Sequence, residues 1–250
     1  MAIKIIQLND QAKGSFAGGA ILENKPIGFP QDGGEQKPYS NLFYWANAWS
    51  DRGGLIGEHP HKMFEIMSFV IEGEIQHYDN KHKRWLSLQK GDAQIIRAGN
   101  GITHAEKIME GGRMFQIWFD PNIAKSVEKE ASYNDYKSAQ MKVCDVNGVL
   151  TKNYTGNGGP MQMDAEGVVI NELRMDKGIY SIPLNEHKIH SYYLIKGALE
   201  LEGQSLKEND FFKVDAQNQL QLKALSELTL FHIETLAALS YKTYNELVKF

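Results

Sequence analysis

A single cysteine, Cys144, in 250 residues excludes an intrachain disulfide and a thiolate-rich zinc module, and it points to a reducing compartment. Proline is sparse, with 7 residues. No stretch approaches the ~20 consecutive apolar residues that a membrane span needs. The opening run Met1-Ala2-Ile3-Lys4-Ile5-Ile6-Gln7-Leu8 breaks at Asn9 and Asp10, without the apolar core and cleavage site of a secretory signal. A cytoplasmic protein is expected, with no membrane association. Basic clusters are missing too: the longest is His82-Lys83-Arg84, and 27 Lys and Arg against 31 Asp and Glu give a net charge of -4. A phosphate-binding stripe is absent, so direct nucleic-acid binding is not expected.

What remains is an ordinary globular composition, 42% hydrophobic and 23% charged, with material for a sizeable core. The length allows one large domain or two of usual size. Short segments rich in β-branched and aromatic residues alternate with glycine or Asn/Asp turns, the pattern of an all-β chain. Phe43–Ala46, Ile66–Ile71, Ile75–Tyr78, Ala93–Ile96 and Met114–Phe119 read as strands. Helical signals are confined to about Ser132–Gln140 and to Ser240–Lys249, where Ser240 is the expected N-cap. The polar stretch after Asp120-Pro121 reads as a linker. Cys144, within Val143-Cys144-Asp145-Val146, reads as a buried strand residue.

A faint internal repeat organises the whole chain. Phe69-Val70-Ile71-Glu72-Gly73-Glu74-Ile75 aligns with Tyr193-Leu194-Ile195-Lys196-Gly197-Ala198-Leu199. In the same order, Leu88–Asp92 resembles Leu206–Asp210, and Phe115–Asp120 resembles Thr229–Glu234. Collinear matches indicate a duplicated β-unit, suited to a jelly-roll-type barrel closed over its own interior. The expected organisation is an N-terminal barrel over residues 1–125, a linker with a short helix over 126–141, and a C-terminal barrel over 142–250.

One constellation carries chemistry. His59-Pro60-His61 places two imidazoles at i and i+2, which share a face on an extended strand. His104-Ala105-Glu106 repeats the spacing with an imidazole and a carboxylate. Two same-face pairs from neighbouring strands can hold one transition metal, and three nitrogens with one oxygen suit iron, manganese, nickel, copper or zinc but not calcium. A six-coordinate ion would keep two positions open. Sliding the first half onto the second puts Pro183 and Asn185 at His59 and His61, and Leu222 and Ala224 at His104 and Glu106, so the second barrel is expected to bind no metal. His77, His82, His187, His190 and His232 read as surface or packing residues.

The residues around this constellation resemble the cupin superfamily, and within it closely the pirin and pirin-like proteins. The resemblance is carried by Gly57-Glu58-His59-Pro60-His61-Lys62-Met63-Phe64-Glu65, by Phe69–Gly73, by Gly91-Asp92-Ala93-Gln94, and most specifically by Ala98-Gly99-Asn100-Gly101-Ile102-Thr103-His104-Ala105-Glu106. It is strongest from about 43 to 120 and weaker through the second half. It implies two tandem cupin barrels in a monomer, with one metal in the first barrel on His59, His61, His104 and Glu106. Glu65, a ligand position in many cupins, is expected instead to support the site from behind. Lys62-Met63 departs from the family's usual residues after the second histidine. The C-terminal extension of longer pirins has no counterpart, which places the chain with the shorter bacterial kind.

The resemblance also implies an activity: quercetin 2,3-dioxygenase-like oxidative ring opening of a flavonol with O2, on iron(II) first and on nickel, manganese, copper or zinc as alternatives. Glu106, the one carboxylate in that ligand set, would take the substrate's hydroxyl proton as catalytic base. Met63, Phe64 and Phe115 are candidates for the pocket wall. A non-enzymatic alternative is a metal- or redox-responsive regulator acting through a protein partner. A metal-dependent sugar isomerase fits the ligands but not the Gly99–Glu106 signature.

Overall fold

The computed structural model describes residues 3–248. In chain order its strands are β1 Ile3–Ile6, β2 Ala12–Phe16, β3 Ile21–Ile27, β4 Leu42–Ser50, β5 Gly54–His61, β6 Glu65–Glu72, β7 Glu74–Asp79, β8 Trp85–Gln89, β9 Ala93–Arg97, β10 Ile102–Ile108, β11 Gly112–Phe119, β12 Ser132–Tyr136, β13 Lys142–Val146 and β14 Val149–Thr155. They continue with β15 Val169–Met175, β16 Gly178–Pro183, β17 Lys188–Lys196, β18 Ala198–Leu201, β19 Gln204–Lys207, β20 Phe211–Asp215, β21 Gln219–Ala224 and β22 Leu228–Leu236. Two short helices, α1 Ile123–Ser126 and α2 Tyr244–Val248, complete the α and β elements of the described residues. All five segments expected as strands lie inside strands.

The chain forms two compact units. One contains a seven-stranded sheet in the order β12-β9-β6-β11-β4-β3-β2 and a four-stranded sheet β5-β10-β7-β8. The other repeats the plan with β1-β20-β17-β22-β15-β14-β13 and β16-β21-β18-β19. Each is a two-sheet barrel with aliphatic and aromatic side chains filling the space between its sheets. The fold is therefore all-β, with two tandem two-sheet barrels.

The boundaries differ from the expected halves at both ends of the chain. Residues 3–10 belong with Met141–Leu239, and residues 240–248 belong with Gln11–Gln140. β1 pairs antiparallel with β20, from Ile3 opposite Val214 to Ile6 opposite Phe211. Nor is 126–141 a linker with a helix at 132–140: β12 covers the free side of β9, tied by Gln94 Nε2 to Asp135 Oδ1 at 2.6 Å. The terminal helix begins later than expected, and its first turn is held by Thr243, whose N–H and hydroxyl donate to Glu246 Oε2 at 2.7 and 2.9 Å. Lys249 lies outside the described residues. Cys144 is exposed rather than buried, because β13 is the last strand of its sheet.

The repeat is visible bond by bond. Gly73 and Gly197 both turn at positive φ, 64° and 91°. Asp92 Oδ2 accepts from Gln89 N at 3.0 Å, and Asp210 Oδ2 accepts from Lys207 N at 2.9 Å. Val70 N donates to Asp92 O, as Leu194 N does to Asp210 O. Strand register then corrects the expected alignment of ligand positions. Ile108 pairs with Ile75 and Ala224 with Leu199, so Ala224 corresponds to Ile108, and Leu220 and Leu222 correspond to His104 and Glu106. The turn leading into β21 is two residues shorter than the one leading into β10, which ungapped sliding cannot detect.

Candidate metal centre

His59 and His61 stand at i and i+2 near the end of β5, and His104 on β10 pairs directly opposite His59. The register between these strands shifts by one residue between His104 and Glu106, so that Ile56 faces Glu106 and His59 faces His104. The extra residue lies in β5 around Gly57-Glu58. Such a bulge re-aims the side chains beyond it, and here it turns His59 onto the face that His104 occupies. The loop before β10 is equally constrained: Gly99 has φ 50°, and a Cβ there would come within 2.5 Å of Lys129 O.

The three imidazoles converge. Their ligating nitrogens lie within 4.8 Å of one another, with His59 Nε2 and His104 Nε2 3.1 Å apart. At a metal–nitrogen distance of ~2.0–2.1 Å, two donors so spaced subtend about 100° at a shared ion. His59 Nδ1 lies 2.8 Å from the Gly57 carbonyl, which accepts its proton and leaves Nε2 with a free lone pair, the usual support of a metal-bound histidine. His61 Nε2 is buried with no hydrogen-bond partner. Burial, reinforced by His104 and His59, lowers the His61 pKa to about 3, and burial with His59 and His77 lowers that of His104 to about 2. Both rings are neutral at physiological pH, the state a metal requires. The donor set fits a divalent transition ion.

Glu106, the fourth expected ligand, is buried on the same face of β10, but its carboxylate is outside the converging group. Gln116 Nε2 donates to Oε2 at 2.6 Å and Ser68 Oγ to Oε1 at 3.4 Å. The carboxylate lies close enough to His61 to counter part of the fall in its pKa. Glu65 opens β6 in the other sheet, since the chain leaves β5 at His61 and turns through Met63 at φ 78°. There it faces Arg97 Nε at 3.7 Å.

His77 and His82, read as lacking partners, share one instead. Across β7, His104 pairs with Asp79 and Glu106 with His77. Asp79 accepts from His77 Nε2 at 3.3 Å, from the backbone N–H groups of Lys81 and His82 at 2.8 Å, and from His82 Nδ1 at 3.1 Å. Burial alone would raise the Asp79 pKa, and these hydrogen bonds outweigh it, leaving the carboxyl below its ordinary value. An anionic, fully buried carboxylate therefore stands behind His104.

Aromatic rings lead away from the triad. Trp118 meets His61 edge-on at 4.8 Å and touches Phe64 at 5.8 Å and Phe29 at 5.4 Å. Phe64 stacks on Phe43 at 4.7 Å, and Tyr244 of α2 packs edge-on against both. Phe29, Phe43, Phe64 and Tyr244 line a cavity of about 800 Å³. Phe64 was expected in such a wall, and Met63 packs against the same cluster. Phe115 does not join it: on β11 it points to the face opposite Gln116 and Trp118 and meets Trp45. Phe29 and Tyr244 carried no signal in the sequence that would bring them here.

Two duplicated barrels, one of which gathers three imidazoles from adjacent strands of its smaller sheet, give the chain a two-domain cupin fold. Residues 38–119, which hold all three histidines and Glu106, match the Pirin family model. A Zymomonas mobilis protein named "Putative quercetin 2,3-dioxygenase" is 29% identical over 158 residues, 62% of this chain and 65% of the relative. The quercetin 2,3-dioxygenase of Escherichia coli K12 is 36% identical over 74 residues, 28% of this chain and 32% of the relative. Both matches span less than two thirds of the relative's own length. The bacterial pirin YhhW of Escherichia coli, solved in complex with nickel(II), superposes with a TM-score of 0.76 at 18% identity, covering 94% of this chain and all of its own. In sequence and fold the chain is similar to the pirin-like cupin proteins. No helix among the described residues is long and apolar enough to cross a membrane.

Proposed function

We propose that the chain is a metal-dependent dioxygenase that opens the oxygenated ring of a flavonol-like substrate with O2. The observation that carries the reading is the unpartnered, buried Nε2 of His61 beside His59 and His104, one aromatic ring away from a cavity lined by Phe29, Phe43, Phe64 and Tyr244. The names of the relatives support the same substrate class. His59, His61 and His104 hold the metal, and Glu106 completes the set through Oε1, which gives up its 3.4 Å contact with Ser68 while Gln116 keeps Oε2. Iron(II) is the first candidate, and the nickel bound by the solved pirin makes nickel(II) the second.

When bound, the ion supplies Lewis-acid polarisation of a coordinating substrate oxygen and a centre at which O2 chemistry is possible. The protein's residues do the rest. Stacked rings orient a planar substrate and exclude water from its flat faces. Trp118, pressed against His61, restricts approach to that side. Glu106 takes the proton of the substrate hydroxyl at a carboxylate oxygen, while Gln116 holds the carboxylate in place.

Protein reconstituted separately with iron(II), nickel(II) and manganese(II) should consume O2 on addition of quercetin, and His61→Ala should reduce the rate at least a hundredfold. If all three metal forms leave quercetin unchanged, the enzymatic reading falls, and capture of a protein partner dependent on metal oxidation state becomes the experiment for the regulatory alternative.

A further inference from the structure

A second group of ligating side chains converges in the described residues, in the barrel expected to have none. The ligand atoms of His190, His232 and Glu234 lie within 4.8 Å of one another. Register alone brings them together. His232 and Glu234 are two apart on β22 and share a face, and His190 on β17 pairs directly with Glu234. Leu194, Leu228 and Leu230, at the same parity on these strands, belong to the barrel's core, so the three ligand-type residues face the interior.

The hydrogen bonds set the tautomers. His190 Nε2 is 3.1 Å from the Asn185 carbonyl, which only accepts, so the proton sits on Nε2 and the neutral ring presents the Nδ1 lone pair. That lone pair meets His232 Nε2 at 3.2 Å, a spacing that subtends about 100° at an ion bound ~2.0–2.1 Å from each nitrogen. The Asn185 carbonyl thus does for His190 what the Gly57 carbonyl does for His59. Burial keeps His190 below the ordinary imidazole value and His232 well below it. Glu234 gives one oxygen to Lys188 Nζ at 2.8 Å and retains the other. The three residues line a cavity of about 480 Å³. Asn171 lines it too, and its Oδ1 is buried without a hydrogen-bond partner.

Register places the group relative to the first barrel. Phe115 pairs with Phe69 and Phe231 with Tyr193, so His232 and Glu234 correspond to Gln116 and Trp118. Leu220, at the position of His104, pairs with Ile182 as His104 pairs with His59, so Ile182 rather than Pro183 stands at the position of His59; both are aliphatic, and ligand-type residues stand on the facing sheet.

We propose that His190, His232 and Glu234 form a second transition-metal site, in the C-terminal barrel and independent of the His59–His61–His104 centre. Two neutral imidazoles and a carboxylate beside a cavity suit a divalent first-row ion with room left for a small ligand. On loading, the ion replaces the proton between the two rings, and His232 carries its own proton on Nδ1.

Cobalt(II) added to tag-free protein tests this without reference to activity. Wild-type protein should retain two equivalents after dialysis, and the His61→Ala/His104→Ala variant one, with its visible absorption. In that variant background Glu234→Gln or His232→Ala should weaken the remaining site at least tenfold. Anomalous diffraction from cobalt-soaked wild-type crystals should place a peak between His190 Nδ1 and His232 Nε2, which decides the matter even if the His232 variant fails to fold. No cobalt retained by a folded His61→Ala/His104→Ala protein, with no peak at His190, overturns the proposal. Failure of the quercetin assay leaves this readout untouched.

Discussion

Gln116 is the residue on which the expected fourth ligand depends. Its 2.6 Å hydrogen bond to Glu106 Oε2 orients a carboxylate that is otherwise held only by Ser68. Groups that orient a ligand typically contribute ~10–100-fold to metal affinity. Gln116→Ala should therefore weaken metal binding by about that factor, measured by competition with a chelator, whereas no change would remove Glu106 from the ligand set. Asp120 gives a second residue-level prediction. Its Oδ2 accepts from Tyr244 N while Oδ1 is buried without a partner, and burial, added to by Glu246, raises its pKa to about 7. Between about pH 4 and 7 the folded chain keeps a proton that the unfolded chain releases, so this group's contribution to stability falls as pH rises through that window. A shift of this size corresponds to up to about 4 kcal/mol. Asp120→Asn should gain on the wild type progressively from pH 4 to 7 and hold the gain above it, read from urea midpoints at each pH. A constant difference across the range would contradict the assignment.

At the scale of elements, the strand pattern was legible because alternation is local: β6, β9 and β11 follow from their own residues. The strand at 132–136 is not legible locally because Asn134 and Asp135 disfavour strands, and β12 forms because β9 offers it an edge. Likewise α2 is a single turn, and its position follows from the contacts of Thr243 with Glu246 and of Tyr244 with Asp120. The β5 bulge at Gly57-Glu58 left no trace in the sequence, although it aims His59. A bulge is defined by the partner strand, since two residues oppose one only when the register is known. The same limitation hid Phe29 and Tyr244, whose rings reach the cavity from elements far apart in the chain.

At the scale of the molecule, the exchanged ends have a measurable consequence. Tyr241 donates to Asp120 O at 2.7 Å, and Tyr244 walls the 800 Å³ cavity, so the last residues complete the barrel that begins at Gln11. Removing residues 240–250 should speed amide hydrogen exchange in β4 and β11, which flank Asn41 and Asp120, and should raise the KM for a flavonol. Unchanged exchange would separate the segment from that barrel. The sequence by itself determined the alternation of two all-β units, the glycine and aspartate turns that repeat between them, and the same-face pairs His59/His61 and His104/Glu106. Each of these rests on neighbours a few residues apart, where a period of two dictates the face. The tertiary structure alone decided which pairs meet. It set the two-residue correction of the repeat, drew Glu106 toward Gln116, and joined His190 to His232 and Glu234 from the other side of the C-terminal barrel's sequence. Those outcomes depend on hydrogen-bond register between strands distant in the chain, and register is fixed by the packing of the whole barrel rather than by any segment of it.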